Sequence, residues 1–425
     1  MNLDQNRDQN GDQNQFSPDI VATMEVLRKH PKVEAVLESI RATDNVTIQD
    51  QIEICEINAP SHHEQARGID FKRRLIELGL EDVQIDEVGN VLGFIHGDKE
   101  GPVLLLSAHL DTVFDLDTDT KVRHEAERLC APGISDNTRG LAEILAVARA
   151  IKSASIELMG TLVVCGNVCE EGEGDLKGIK HLFRDNAPFD GYMTPDGGYI
   201  GRVRYKGTGS HRYRVTYQCK GGHSFNDFGN PSAVHAMGRA IASISDLVPP
   251  EHPKTTFTVG VVSGGTSINS IAGHATMLLD IRSNAHDALL SLESEIVEKI
   301  KAAVEQENNR WQRDAVAVHF EMIGDRPSGA LEPSEPIVQV SCIAAELLGH
   351  AYEVAEAGST DANYPISLGI PAIQVGFGGR AGGVHTLEEW YEPKGSYQGP
   401  QKHFLTTLAL LGVKGISNPI LKKRK

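Results

Sequence analysis

The sequence predicts an α/β protein: a doubly wound, mostly parallel sheet forming a catalytic domain, with a smaller α+β domain inserted into it. Three observations carry that expectation. Apolar runs at 103–107 and 161–165 are bounded by polar loops and read as strands buried on both faces. Each is followed by a loop and then a stretch with helical spacing, the strand–loop–helix order of a doubly wound sheet. Near Gly207 the texture changes, and residues 210–220 alternate polar and apolar, which suits a sheet covered on one face only.

Taken in order, residues 1–17 are rich in Asn, Asp and Gln and nearly free of apolar side chains, so a disordered tail is expected there. From Ser17 to about Leu80 the spacing is helical, broken at Pro31 and Pro60, and Gly79 is a helix stop. Strands are expected at 83–86, 91–95 and 103–107, a helix at 138–151, a strand at 161–165 and a helix at 176–183. Within the insertion, strands at 210–220, 255–262, 275–282 and 316–321 accompany helices at 233–247 and 285–308. The α/β pattern then returns with a helix at 336–348, a strand at 372–376 and a closing helix at 400–411. The resulting division is a tail at 1–17, a catalytic domain at 18–207 and 326–425, and the inserted domain at 208–325. A chain of 425 residues exceeds one ordinary core, which agrees with two domains.

Composition narrows the function. A formal net charge of −17 argues against a general nucleic-acid binder, which needs a basic face. The amino-terminal stretch lacks the basic start and apolar core of a secretory signal, and no apolar run reaches membrane-spanning length. The six cysteines are scattered through apolar stretches without a redox pair, so reduced thiols in a cytoplasmic protein are expected.

The chemistry lies in where acidic and histidine residues fall. The strand at 103–107 runs into Ala-His109-Leu-Asp111-Thr-Val, and a strand-like stretch before Gly133 leads to Ile-Ser-Asp136-Asn ahead of a helix. The strand at 161–165 leads to Glu170-Glu171-Gly, the segment 189–194 to Pro-Asp196-Gly-Gly, and Gly382-Gly-Val-His385-Thr is a glycine-rich loop. All five groups follow a strand or occupy a turn, so they can converge along one sheet edge, where ligands of such folds bind. Two imidazoles and several carboxylates without cysteine form an oxygen/nitrogen ligand set suited to Zn²⁺, with Co²⁺ or Mn²⁺ as substitutes. Five ligands exceed what one catalytic zinc takes from protein, because it keeps a position open for water. With one bridging carboxylate, two ions would each find three ligands and share a water. A carboxylate that is not a ligand must then move the water's proton, and the adjacent pair Glu170-Glu171 can divide these tasks. Asp111 is placed to hold the His109 imidazole from behind.

Two other features are read as decoys. Asp115, Asp117 and Asp119 imitate the start of a calcium loop but lack its glycine and closing glutamate. The glycine-rich stretch 376–383 does not follow a dinucleotide fingerprint, and no GxSxG elbow marks a serine hydrolase.

These residues resemble the co-catalytic metallopeptidase family that includes peptidase T, carnosinase-type dipeptidases, carboxypeptidase G and acetylornithine deacetylase. The resemblance runs from about residue 45 to 412 through Ser-Ala-His109-Leu-Asp111-Thr-Val, Gly-Ile-Ser-Asp136-Asn, Cys-Glu170-Glu171-Gly, Asp196-Gly-Gly, Gly-Gly-His223-Ser and Gly358-Ser-Thr-Asp361-Ala-Asn. It implies that His109, Asp136 and Asp196 hold one zinc, and that Asp136 as bridge, Glu171 and His385 hold the other. It further implies Glu170 as general base and acid. The inserted domain would be a lid and dimerisation domain, whose His223 reaches a neighbouring subunit's site in a homodimer. Asn269 and Arg282 would contact substrate, the arginine at its carboxylate. The chain departs from the pattern at Asn137-Thr-Arg139-Gly, where relatives carry lysine and glycines. A carboxylate of Asp size at position 196 matches aminopeptidases and dipeptidases, whereas deacylases of the group carry Glu. The expected substrate is therefore a small peptide, with an N-acyl amino acid as the alternative. A non-catalytic binding protein on this fold would have lost a ligand or the base, and none is lost here.

Overall fold

A computed structural model describes residues 16–184, 187–313 and 315–424. The expected tail falls outside the described residues apart from Phe16 and Ser17. Phe16 meets Tyr352 edge-on at 5.5 Å, and the Ser17 amide donates to Gln339 Oε1 at 2.7 Å. Two compact units are present: 1–205 with 331–356 and 360–425, and 206–330 with 357–359.

The first unit is built on an eight-stranded sheet. Its strand order is Glu81–Ile85, Val91–Ile95, Thr161–Asn167, Val103–His109, Gly191–Pro195, Ala372–Val375, Arg202–Arg204 and Glu353–Val354. The central four, from Thr161–Asn167 to Ala372–Val375, pair in parallel. Burial on both faces explains the uninterrupted apolar runs at 103–106 and 162–165. Along Val103–His109, Leu104 and Leu106 enter one core cluster and Leu105 the other. Each of these side chains is fully buried and contributes roughly 1.5–3 kcal/mol. One cluster is closed by the helices Pro18–Lys29, Pro31–Ala42, Thr138–Ser153, Pro336–Leu347 and Gln398–Leu411, the other by Lys177–Leu182 and Asn363–Ser367. That is the doubly wound arrangement the sequence predicts.

Pro31 opens the second helix at its first position, where its missing N–H costs nothing. A further break at Thr43, ahead of the helix Asp44–Cys55, has no proline or glycine to announce it. The strand at 103–107 extends two residues further, because Ala108 and His109 pair with Gly166 and Asn167. A small second sheet was not legible in the sequence. Its order is Arg380–Gly382, Trp390–Glu392, Arg128–Cys130 and Arg123–Glu125.

The second unit has a four-stranded antiparallel sheet in the order Thr255–Gly264, His274–Ser283, Gly209–Gln218 and Ala317–Arg326. Alternate residues Tyr213, Val215, Tyr217, Met277, Leu279 and Ile281 pack under the helices Ala233–Ser245 and His286–Trp311. The alternation therefore reports one covered face. Residues 357–359 belong to this unit because Gly358 bridges to Gly207 and its carbonyl accepts the Thr208 amide at 2.6 Å.

Candidate metal centre

All seven residues expected at the metal site lie in the first unit, and two sheets deliver them. His109 ends the strand Val103–His109, Glu170 and Glu171 follow Thr161–Asn167, and Asp196 follows Gly191–Pro195. These three positions are at the carboxyl edge of the large sheet. Asp136 and His385 arrive differently from the expectation of one common edge. Asp136 follows the small-sheet strand Arg128–Cys130 and precedes the helix Thr138–Ser153; the Asp136–Asn137 peptide is cis. His385 lies in the connection between Arg380–Gly382 and Trp390–Glu392 of the same small sheet.

The loops that carry Asp136 and His385 need glycine at defined points. A Cβ on Gly140 would stand 2.0 Å from Asn137 Oδ1 and 2.4 Å from the Pro195 carbonyl, linking the Asp136 loop to the Asp196 strand. Gly383 has φ +67°, and a Cβ there would lie 2.8 Å from the Glu388 carbonyl. His385 itself sits in the left-handed region at φ 64°, a conformation that costs a side-chain-bearing residue roughly 1–2 kcal/mol.

The ligand atoms converge. Single atoms from His109, Asp136 and Asp196 lie within 4.8 Å of one another, as do those from Asp136, Glu171 and His385, and from His109, Glu170 and Glu171. Asp136 faces both imidazoles: its Oδ1 is 3.1 Å from His109 Nε2, and its Oδ2 is 2.9 Å from His385 Nε2. His385 Nε2 is also 2.9 Å from Glu171 Oε1. His109 Nδ1 donates to the Asp111 carbonyl at 2.9 Å, so its Nε2 lone pair points toward Asp136. Two acceptors this close require a shared cation, either a proton or a metal ion. Tetrahedral zinc with bonds of about 2.0–2.1 Å separates its ligand atoms by roughly 3.3 Å, so the donor set fits such an ion.

The metal-free electrostatics follow from that crowding. Burial opposes a charge on His109, but Asp111 and Asp136 override it and hold the imidazole well above its ordinary range. Contacts with Asp136 and then Glu171 push His385 up to about 10. Because folding raises this value, the stabilisation is complete below the unfolded imidazole pKa near 6.5 and fades as pH rises through about 10. Burial works against ionising Asp136 as well, yet hydrogen bonds from His109 and His385 hold it well below the usual carboxylate range. Burial, reinforced by the Asp136 charge, pushes Asp196 up to about 6.

Asp111 acts on more than the imidazole. Its Oδ1 accepts the Glu170 amide at 2.9 Å, and its Oδ2 accepts the Glu171 amide at 2.9 Å and the Ser61 hydroxyl at 2.6 Å. The carboxylate is 3.5 Å from His109 Nδ1, farther than its own backbone carbonyl. Asp111→Asn would turn one of these acceptors into a donor facing a donor. The expected result is a 10–100-fold loss of activity or metal affinity, with the metal-free protein still folded at a modestly lowered thermal midpoint. Metal titration and circular dichroism of the variant check it.

Sequence reasoning missed several supporting groups. Asn167 Nδ2 donates to Asp361 Oδ2 at 2.7 Å, and burial pushes this aspartate up to about 7. Gln374 Nε2 donates to the Asp196 carbonyl, and Glu389 contacts the Asp136 loop. Only Asp361 had a signal, as part of Gly358-Ser-Thr-Asp361-Ala-Asn. Asp115, Asp117 and Asp119 are exposed.

His223, Asn269 and Arg282 lie in the second unit. His223 pairs with Ser270, and the Asn269 carbonyl accepts the Ser224 amide at 2.9 Å, so the first two share a two-stranded ribbon. His223 Nδ1 accepts the amides of Phe225 at 3.2 Å and Asn226 at 3.3 Å, which leaves the proton on Nε2. Arg282 stands on another strand, His274–Ser283, with its Nε donating to Asp280 Oδ2 at 2.7 Å.

Comparisons with known proteins bear on the fold and the family. The Escherichia coli (strain K12) protein YgeY, described as uncharacterised, is 35% identical over 108 residues, which span 24% of this chain and 26% of that protein. The match thus covers about a quarter of that relative's length. A Staphylococcus aureus tripeptidase structure superposes with a TM-score of 0.71 at 20% identity, covering 85% of this chain and 97% of that one. The Bacillus subtilis YXEP protein, a dinuclear metal-binding peptidase of the M20 family, gives 0.65 at 17% identity, covering 87% and 99%. At such identities the two structures speak for the fold. The profile of peptidase family M20/M25/M40 matches residues 105–402, from within the His109 strand to the last helix, and the chain belongs to that family.

Proposed function

We propose that the chain hydrolyses amide bonds in small peptides as an aminopeptidase or dipeptidase, using two divalent metal ions. His109, Asp136 and Asp196 would hold one ion, and Asp136, Glu171 and His385 the other, with zinc the metal that best suits these donors. The observation that carries this reading is the position of Asp136, each of whose oxygens meets a different imidazole. Two cations bound there would supply Lewis acidity and a water of lowered pKa.

The chain's own residues do the rest. Glu170 stands outside both ligand sets proposed here, although its carboxylate also converges with His109 and Glu171, and it is 5% exposed. Its carboxylate takes the proton from the attacking water and delivers it to the departing nitrogen. The Asp111 cradle fixes the backbone of both glutamates, so their side chains keep separate tasks. A proton on His223 Nε2 suits that residue to donate to the oxyanion in a neighbouring subunit's site. Asn269 and Arg282 would complete substrate binding, Arg282 at a carboxylate.

Assembly is read from the second unit. The strand Thr255–Gly264 is a sheet edge exposing Val261 and Val262, each 55% accessible, which favours pairing with a second copy in a homodimer. The six cysteines are unpaired, which fits a reducing, cytoplasmic setting. Among the described residues no helix is long and apolar enough to cross a membrane.

A panel of di- and tripeptides, with free and acetylated amino termini, tests the substrate class. Cleavage of free peptides that is lost on acetylation is the expected outcome. Release of acetate or another acyl group from N-acyl amino acids, with peptides untouched, would overturn the peptidase reading in favour of a deacylase.

A further inference from the structure

We propose that Glu389 is a positioning residue that locks two metal-ligand loops together, setting Asp136 against His385. The proposal rests on the reading of these two residues as ligands. Glu389 is fully buried. Its Oε1 accepts the Ser135 amide at 2.8 Å, the Ser135 hydroxyl at 2.5 Å and the Asp136 amide at 3.0 Å. Its Oε2 accepts the Gly133 amide at 2.8 Å, and its backbone carbonyl accepts the Ala131 amide at 3.1 Å. The loop from Ala131 to Asp136 is therefore wrapped around one carboxylate, which takes up its inward-pointing donors.

The other end of the lock is covalent. Glu389 is four residues beyond His385, on a turn closed by the Thr386 amide to Gly383 at 3.0 Å and the Glu389 amide to Thr386 at 3.2 Å. His385 keeps its left-handed backbone within this turn. One compact piece thus carries an imidazole ligand at one end and, at the other, the acceptor that fixes the backbone of the bridging ligand. A merely space-filling residue would not need four donors aimed at it, one of them the amide of Asp136 itself. Hydrogen-bonded partners behind metal ligands set ligand direction and so metal affinity. His385 belongs to only one of the two ligand sets, so loss of Glu389 should weaken that metal more than the other.

Chelator-stripped full-length wild type, Glu389→Gln and Glu389→Ala are titrated with Co²⁺, followed by calorimetry and visible absorption. Thermal midpoints of the stripped proteins are read alongside. Gln keeps the shape and one acceptor oxygen but places a donor against donors. The expected result is a second Co²⁺ equivalent weakened about 10–100-fold, more in Ala than in Gln, with the first equivalent less affected and the stripped Gln variant folded, its midpoint lowered less than that of Ala. Unchanged affinity for both equivalents in both variants would overturn the proposal. Equal loss of both equivalents in the Gln variant, with its midpoint lowered as far as that of Ala, would overturn it too, by marking a general structural role. Failure of wild type to take two equivalents would refute the underlying ligand reading and the lock with it, and the wild-type arm reveals that case separately.

Discussion

Replacing Glu170 by alanine is expected to lower turnover by about 10²–10⁴-fold while leaving two metal ions bound, because under the proposed assignment the variant loses the proton carrier and keeps every ligand. The distinction from Glu171 gives the experiment its force. Glu171 Oε1 lies 2.9 Å from His385 Nε2, inside the second ligand set, whereas Glu170 is grouped with His109 and Glu171 only. Glu171→Ala should therefore lose metal along with activity. Both glutamates are held at the backbone by Asp111, so neither truncation removes the fixture for the other. Measuring kcat together with metal content per chain separates the two variants. Full turnover in Glu170→Ala would remove the residue from the mechanism.

Asp136→Ala has the second large effect, and it is of another kind. This carboxylate stands between the two imidazoles at 3.1 and 2.9 Å, and both proposed ligand sets include it. Its removal leaves His109 with Asp196, and His385 with Glu171, two protein ligands each where a catalytic zinc site uses three. The expected outcome is a metal content well below two ions per chain and activity reduced at least as far as in Glu170→Ala. Excess metal should not restore it. A variant that retained two tightly bound ions would contradict the bridging role. Elemental analysis after gel filtration is sufficient to decide.

The contrast between these residues and the rest of the site shows what a sequence makes legible. His109, Glu170-Glu171 and Asp196 could be read because buried parallel strands leave uninterrupted apolar runs, and whatever follows such a run lands at the carboxyl edge of the sheet. The lengths of the His109 and Glu170 strands were each underestimated by two residues, since Ala108 and His109 pair with Gly166 and Asn167 through backbone atoms that carry no sequence signal. Asp136 and His385 were legible as chemistry but not as geometry. Their carrier is a sheet of three-residue strands, too short for a period to show. Glu389 was invisible for a related reason. In Leu387-Glu388-Glu389-Trp390 it looks like part of a solvated acidic turn, and only the fold reveals that one glutamate of the pair is buried against the Asp136 loop. The segment 357–359 joins the second unit through backbone bridging to Gly207, which composition does not encode. The α+β insertion, in contrast, was plain, because alternation over 209–218 reports a half-covered sheet directly.

Crystals of the protein grown with zinc or cobalt and measured on both sides of the metal absorption edge would test the central claim most directly. Two anomalous peaks are expected about 3.5–4 Å apart, one beside His109 and Asp196, the other beside Glu171 and His385, with one Asp136 oxygen on each. A single peak, or two peaks with Asp136 turned away from either, would contradict the account.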